Sequence, residues 1–260
     1  MPAYCLCMDL SLFCDTYIMA EYQRVKGILE EMPRYKAGTH NGKPVIRKYT
    51  GIGNKTSIVT ATSTGRGYSQ MQEQLEQFAL LNKLLSSYRS ELTRRRLTVP
   101  AEFSFTRDPS PYSVEAWERL VPCSNSHEIG SEYYDDYGFN VRTRGEMMVG
   151  NVLKELGLEA KYEPALVLKG GKKRTPDYAF PVRIIDRCFF IEFMGMANDD
   201  GYIESNYGKI EEYMRNGILL SRDLIVISGT KNWLPEQESI KRIITAFINN
   251  AVLSVYNHKV

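Results

Sequence analysis

The chain has 260 residues, 43% of them hydrophobic and 25% charged, with a formal net charge of +2 at pH 7. That composition is ordinary for a folded protein of one large or two smaller domains, each with its own core. A nearly neutral total provides no whole-molecule field to attract nucleic acid, so only a local basic patch can do so.

From Leu10 to Met32 the apolar residues Leu10, Phe13, Tyr17, Val25, Ile28 and Leu29 recur at helical spacing, and Pro33 ends that helix. Asn41-Gly42 then marks a hairpin turn between strand-like arms, and the β-branched run "TSIVTATS" predicts a third strand. Met71, Leu75, Phe78, Leu81, Leu85, Tyr88 and Leu92 step by three and four along a helix over 68–97, closed by Arg94, Arg95 and Arg96. This stripe is too long for the small hairpin to cover, so it is expected to pack on the 10–32 helix, on a second copy or on a protein partner. Residues 98–140, rich in Pro, Ser, Asp and Tyr, read as a connector with a short helix near 113–120, and a domain boundary is placed near residue 125. The expected domains are 1–125 and 126–260.

Beyond the connector the order changes. "RTRGEMMVGNVLKELGL" reads as an amphipathic helix, "EAKYEPALVL" as a strand and "GGKKR" as a turn. "TPDYAFPVRIIDRCFFIEFMG" supplies two more strands, and "GYIESNYGKIEEYMRNG" a second helix. "DLIVISG" is a buried strand and "EQESIKRIITAFINNAVLSVY" a final helix. The result is αβββαβα, an α/β (α+β) domain with a mixed sheet.

No apolar run reaches the roughly 20 residues of a membrane span. Asp9 and Asp15 break the N-terminal stretch, unlike a secretory leader, so the expected compartment is the cytoplasm. The five cysteines, Cys5, Cys7, Cys14, Cys123 and Cys188, are odd in number and scattered, and read as reduced thiols rather than a disulfide framework.

Three acids fall in telling places: Glu146 in the first helix of that domain, Asp177 at the start of the second strand, and Glu192 near the end of the third. Carboxylates on rigid elements can hold Mg²⁺ or Mn²⁺ while leaving positions open for water and phosphate. Taken singly, Glu146 reads as a surface residue, Asp177 as a turn acid, and Lys209 and Glu212 as surface charges, with Tyr207, Ile210, Tyr213 and Met214 forming the packed face of their helix.

Together, the order αβββαβα, Pro176-Asp177 and an acid fifteen residues on resemble the PD-(D/E)XK nuclease superfamily, with its restriction-endonuclease-like fold. "RTRGE", "LKGGKKRTPDYAF", "IEFMGMANDD" and "YGKIEEYMRNGI" are similar to a group of bacterial and phage proteins expected to share that fold. The resemblance spans about residues 140–230. It implies a Mg²⁺-dependent nuclease acting on DNA, with Asp177, Glu192 and Glu146 as metal ligands. Arg142 and Arg144 would meet a phosphate, and Lys172, Lys173 and Arg174 would form a basic edge. Two departures stand out. Met194 occupies the place of the motif lysine, for which Lys209 is the candidate substitute, and Phe193 stands where the closer group has histidine. The alternatives are a nuclease fold that binds nucleic acid without turnover, and a protein-interaction subunit.

Overall fold

The computed structural model describes residues 9–51, 57–101, 103, 105–106, 110, 112–121 and 131–256. The chain forms two compact units, one of residues 18–101 and one of residues 1–17 with 102–260. The boundary expected near residue 125 lies outside the described residues, as do Cys5, Cys7 and Cys123. Cys14 and Cys188 are free thiols. Among the described residues no helix is long and apolar enough to cross a membrane.

The 18–101 unit takes most of helix α1 (Asp15–Glu31), then strands β1 (Arg34–His40), β2 (Lys43–Thr50) and β3 (Ser57–Thr62), and helix α2 (Tyr68–Arg95). The strands form an antiparallel sheet in the order β1-β2-β3. Asn41 and Gly42, with φ of 50° and 73°, make the tight β1–β2 turn, a conformation that asparagine and glycine tolerate best. Tyr35, Ile46 and Ala61 on one sheet face pack on Met71, with Tyr68, Leu75 and Phe78 beside them. The third strand widens this face, so the sheet covers the first half of the α2 stripe, contrary to expectation. Further along, Leu81, Tyr88 and Leu92 are buried as well. Leu75, Phe78 and Leu85 of the stripe are half-buried.

The other unit holds α3 (Val114–Arg119), α4 (Arg144–Glu155), β4 (Lys161–Tyr162), β5 (Leu166–Val167), β6 (Lys173–Arg174), β7 (Tyr178–Val182), β8 (Arg187–Met194), α5 (Asp200–Arg215), β9 (Leu224–Ser228) and α6 (Gln237–Val255). Its main sheet runs β4-β7-β8-β9. β7 is antiparallel to both neighbours, and β8 is parallel to β9. The protein is thus mixed α/β with a mixed sheet. One expected strand is in fact two. Glu163, at φ 42°, and the proline after it break "EAKYEPALVL", so β4 joins the main sheet while β5 pairs with β6 in a separate hairpin. Gly170 and Gly171, both at positive φ, make that hairpin's turn, so Lys173 and Arg174 are strand rather than turn residues.

Period-two alternation gives the central strands two distinct faces. Ala179, Cys188 and Phe190 point to the side where Ile210 and Tyr213 of α5 and Trp117 of α3 complete the core. Phe189 and Phe193 point the other way, towards α6 and α4: Phe189 meets Phe247 edge-on, and the Phe193 ring fills the space beside Gly145. All eight residues of β8 are buried or half-buried, so its one carboxylate has no easy exit to solvent.

Candidate active site

Pairing of Tyr178 with Ile191 and Ala179 with Phe190 fixes the β7–β8 register. One step further Asp177 lies beside Glu192, in a bend immediately before β7 rather than at the start of the strand as expected. The step is tied down by the Phe193 amide, which donates to Asp177 Oδ2 at 2.6 Å. On the other side of β7, the Glu163 amide donates to the Asp177 carbonyl at 2.9 Å. Three acids, Glu163, Asp177 and Glu192, therefore lie side by side across the ends of β4, β7 and β8.

Glu192 is 4% exposed. Its Oε2 accepts from Lys209 Nζ at 2.7 Å and its Oε1 from the Tyr213 hydroxyl at 2.8 Å. Lys209 and Tyr213 are one helical turn apart on α5, the spacing that places both on one face. The ammonium also donates to the Thr175 carbonyl at 3.0 Å. Met194 projects to the same side and packs into the α5 core. The place of the motif lysine is thus apolar, and the cation arrives from the helix.

These contacts shape the titration. Burial raises Glu192 above the usual carboxylate range, opposed by Lys209 and the Tyr213 hydroxyl. Asp177 is raised well above that range, first by burial, then by the charges of Glu192 and Glu146, with Lys209 and the Phe193 amide opposing. The residue is half-buried, and that burial together with the two neighbouring acids disfavours its charge. Glu163 is also raised by burial; Arg142, whose guanidinium lies 2.9 Å away, opposes this. Asp223 shows what a purely structural buried acid looks like. It accepts from Arg187 at 2.7 Å, Arg222 at 2.8 Å, the Leu219 amide at 2.9 Å and Ser110 at 3.0 Å. Asp177 has no such set: its Oδ1 has no hydrogen-bond partner among the described residues.

Glu146 is placed differently. Thr143 caps α4, accepting from the Glu146 amide at 3.2 Å, and the Glu146 carboxylate reaches back to the Thr143 hydroxyl at 2.9 Å and the Arg142 amide at 3.1 Å. This is a variant of the capping box in which the carboxylate takes the amide one residue before the cap. The Tyr162 hydroxyl also donates to it at 2.7 Å. Because α4 covers the Phe193 face, Glu146 approaches from the side opposite the other two acids. Its charge is felt at Asp177, yet among the described residues no three His, Cys, Asp or Glu side chains are grouped to hold a metal. The expected three-ligand set is not formed, and the reason is which face α4 occupies.

Glu146 also lines a cleft of about 780 Å³ with Arg144, Phe193, Tyr202, Lys231 and Trp233. Of the four expected catalytic residues it alone does so. Arg144 is exposed there, whereas Arg142 is held by Glu163. On the hairpin, Lys172 and Arg174 both pair with the single carboxylate of Glu212 of α5, which offsets one of the three charges of the expected basic edge and leaves Lys173 exposed. Of the packed face expected on α5, Ile210 and Tyr213 are buried, but Tyr207 and Met214 are exposed. Sequence reasoning missed Glu163 and the roles of Tyr162 and Tyr213. The first could be suspected from an acid just before a strand-breaking proline; the tyrosines look like ordinary core residues until the sheet is assembled.

No family model, curated protein or solved structure matches this chain.

Proposed function

We propose that the 102–260 region is a restriction-endonuclease-like, divalent-metal-dependent nuclease that hydrolyses DNA phosphodiester bonds. The observation that carries the reading is Asp177, just before β7, beside Glu192 of β8, with the Phe193 amide on Asp177 and Lys209 on Glu192. The strand order β4-β7-β8-β9, with helices before, between and after the strands, supports it, since that is the topology the sequence resemblance implies.

The donor chemistry suits a hard cation: two facing carboxylates repel each other, and one carboxylate oxygen of Asp177 is open. Asp177 and Glu192 would hold Mg²⁺ or Mn²⁺, with Glu146 adding negative potential from α4 rather than a ligand. Such a cation, when bound, lowers the pKa of its water and stabilises charge on a phosphoryl group. The chain supplies the rest. Tyr213 fixes the orientation of Glu192, as outer hydrogen bonds do for metal ligands. Lys209 supplies the positive charge that Met194 lacks, 2.7 Å from Glu192 and able to swing towards an incoming phosphate. Arg144 is the exposed cation nearest the α4 cap.

A second reading, a nucleic-acid-binding protein without turnover, is favoured by one observation: both Glu192 oxygens already accept from side chains of this protein. Incubating wild type, Asp177→Asn and Lys209→Ala with duplex, branched and single-stranded DNA in Mg²⁺ or Mn²⁺ separates the two. Cleavage by wild type and by neither variant supports the nuclease; cleavage that persists in Asp177→Asn overturns this mechanism.

A further inference from the structure

Residues 33–67 contain seven Lys and Arg and not one Asp or Glu. The whole chain is only +2, so the remainder carries −5. Strand alternation then sorts the charges. Tyr35, Ile46 and Ala61 face α2. Arg34, Lys36 and His40 of β1, and Lys43 and Arg47 of β2, take the opposite face, with Tyr49 among them.

Three features make this face unusual. Lys36 stands directly opposite Arg47. Like charges directly across an antiparallel pair destabilise a sheet, so this face keeps an arrangement that folding alone disfavours. Next, none of Arg34, Lys36, Lys43 or Arg47 forms an ion pair among the described residues, whereas helical cations such as Arg24, Arg94, Arg119, Arg215 and Arg242 are each paired within one turn. Glu30 and Glu31 share a groove with Arg34 and Lys36, yet Glu30 is paired with Lys26 instead. Finally, the cations are held in place rather than loosely displayed. Lys36 lies 5.9 Å from the Tyr49 ring centre, and the Arg47 guanidinium lies so close over Gly38 that a Cβ there would meet it at 3.1 Å.

We propose that the outer face of β1 and β2 is a duplex-DNA-binding surface, with Arg34, Lys36, Lys43 and Arg47 neutralising backbone phosphates. A polyanion relieves the cross-strand repulsion that the sheet otherwise retains. Beyond the β3 pairing, which stops at Val45, the β1–β2 hairpin continues as two strands to the Asn41-Gly42 turn, and a two-stranded tip has the width to enter a major groove. The proposal rests on the nucleic-acid reading of this protein but not on turnover, so it is tested without metal.

The experiment is fluorescence anisotropy of a labelled duplex with the full chain, in chelator, across a salt series. Four phosphate contacts give a slope of log affinity against log salt of at most about −3.6. The Lys36→Glu/Arg47→Glu double variant should bind about tenfold or more weakly at moderate salt, with the slope reduced by about 1.8. A Lys83→Glu/Arg242→Glu control makes the same change in net charge on helices rather than on these strands and should stay within about twofold. Single Lys36→Glu converts a repulsive cross-strand pair into an attractive one, so its unfolding midpoint should be no lower than wild type while its binding falls. Misfolding would lower both. Equal loss in the control, tighter binding of single strands than of duplex, or no binding by wild type would each overturn the proposal. Loss of cleavage with binding intact would count against the nuclease reading alone.

Discussion

Asp177→Asn should make this protein more stable at neutral pH in the absence of metal, the reverse of what removing a buried hydrogen-bonded group usually does. The side chain keeps its shape, and its carbonyl oxygen can still accept from the Phe193 amide, which meets the carboxylate at 2.6 Å in wild type. What disappears is a negative charge that burial, Glu192 and Glu146 all disfavour. In the folded chain Asp177 titrates above its unfolded value of about 3.9. The folded state therefore binds more protons than the unfolded state in that window. Stability from this group is present below about pH 4 and is lost as pH rises through the raised folded value. Asparagine does not titrate, so the gap between variant and wild type should be small in acid, open as pH rises, and then level off. The neighbouring raised acids Glu192 and Glu163 are present in both proteins and largely cancel. A gain of about 0.5–2 kcal/mol is expected, the range typical of relieving a site shaped for function. Urea melts between pH 3.5 and 8 in chelator, followed by fluorescence, measure it. Trp117 reports this unit directly, since it is buried and its indole donates to the Ala179 carbonyl at 3.1 Å. Repeating the melts in Mg²⁺ should stabilise wild type, by about 2.7 kcal/mol at a hundredfold excess over the dissociation constant, but not the variant. A variant less stable than wild type at pH 7 without metal would refute the reasoning, because the Asp177 charge would then be contributing to the fold.

Lys209→Ala leaves the buried Glu192 with Tyr213 as its one remaining side-chain donor; a loss of about 1.5–3 kcal/mol in urea melts is expected, together with loss of any cleavage. Gly145→Ala would place a Cβ 2.0 Å from the Phe193 ring, so α4 or β8 must shift; a cost of about 1–3 kcal/mol is expected, read as a lowered urea midpoint. Tyr162→Phe removes the 2.7 Å hydrogen bond to buried Glu146 and should cost about 1–2 kcal/mol, seen in the same melts. Trp233 is 61% exposed on the cleft while Trp117 is 7% exposed, so an oligonucleotide entering the cleft should quench only the acrylamide-accessible part of the emission, and Trp233→Phe should abolish that quenching.

Much of the architecture was legible in the sequence because it is written in local patterns. Apolar spacing placed α2 and α6, Pro33 ended α1, Asn41-Gly42 gave the hairpin, and the apolar run "CFFI" marked β8 as a buried strand. The nearness of Asp177 to Glu192 follows from the same local patterns, since two strands joined by a short turn bring their ends together. Other features depended on contacts between residues far apart in the chain. "EAKYEPALVL" is broken at Glu163-Pro164, but which strand each half then pairs with is decided by the partners β7 and β6. Glu146 looked like a third ligand because a helix carrying an acid precedes the strands; a linear pattern does not say which face of the sheet that helix covers. Tyr213 was read as core and Lys172 and Arg174 as free cations, until the packing of α5 supplied Glu192 to the tyrosine and Glu212 to the cations. A sequence determines periodicity and turn chemistry directly, because those act between near neighbours. Which charges meet is decided by the packing of whole elements, and that depends on the summed burial of many side chains rather than on the few that carry the chemistry.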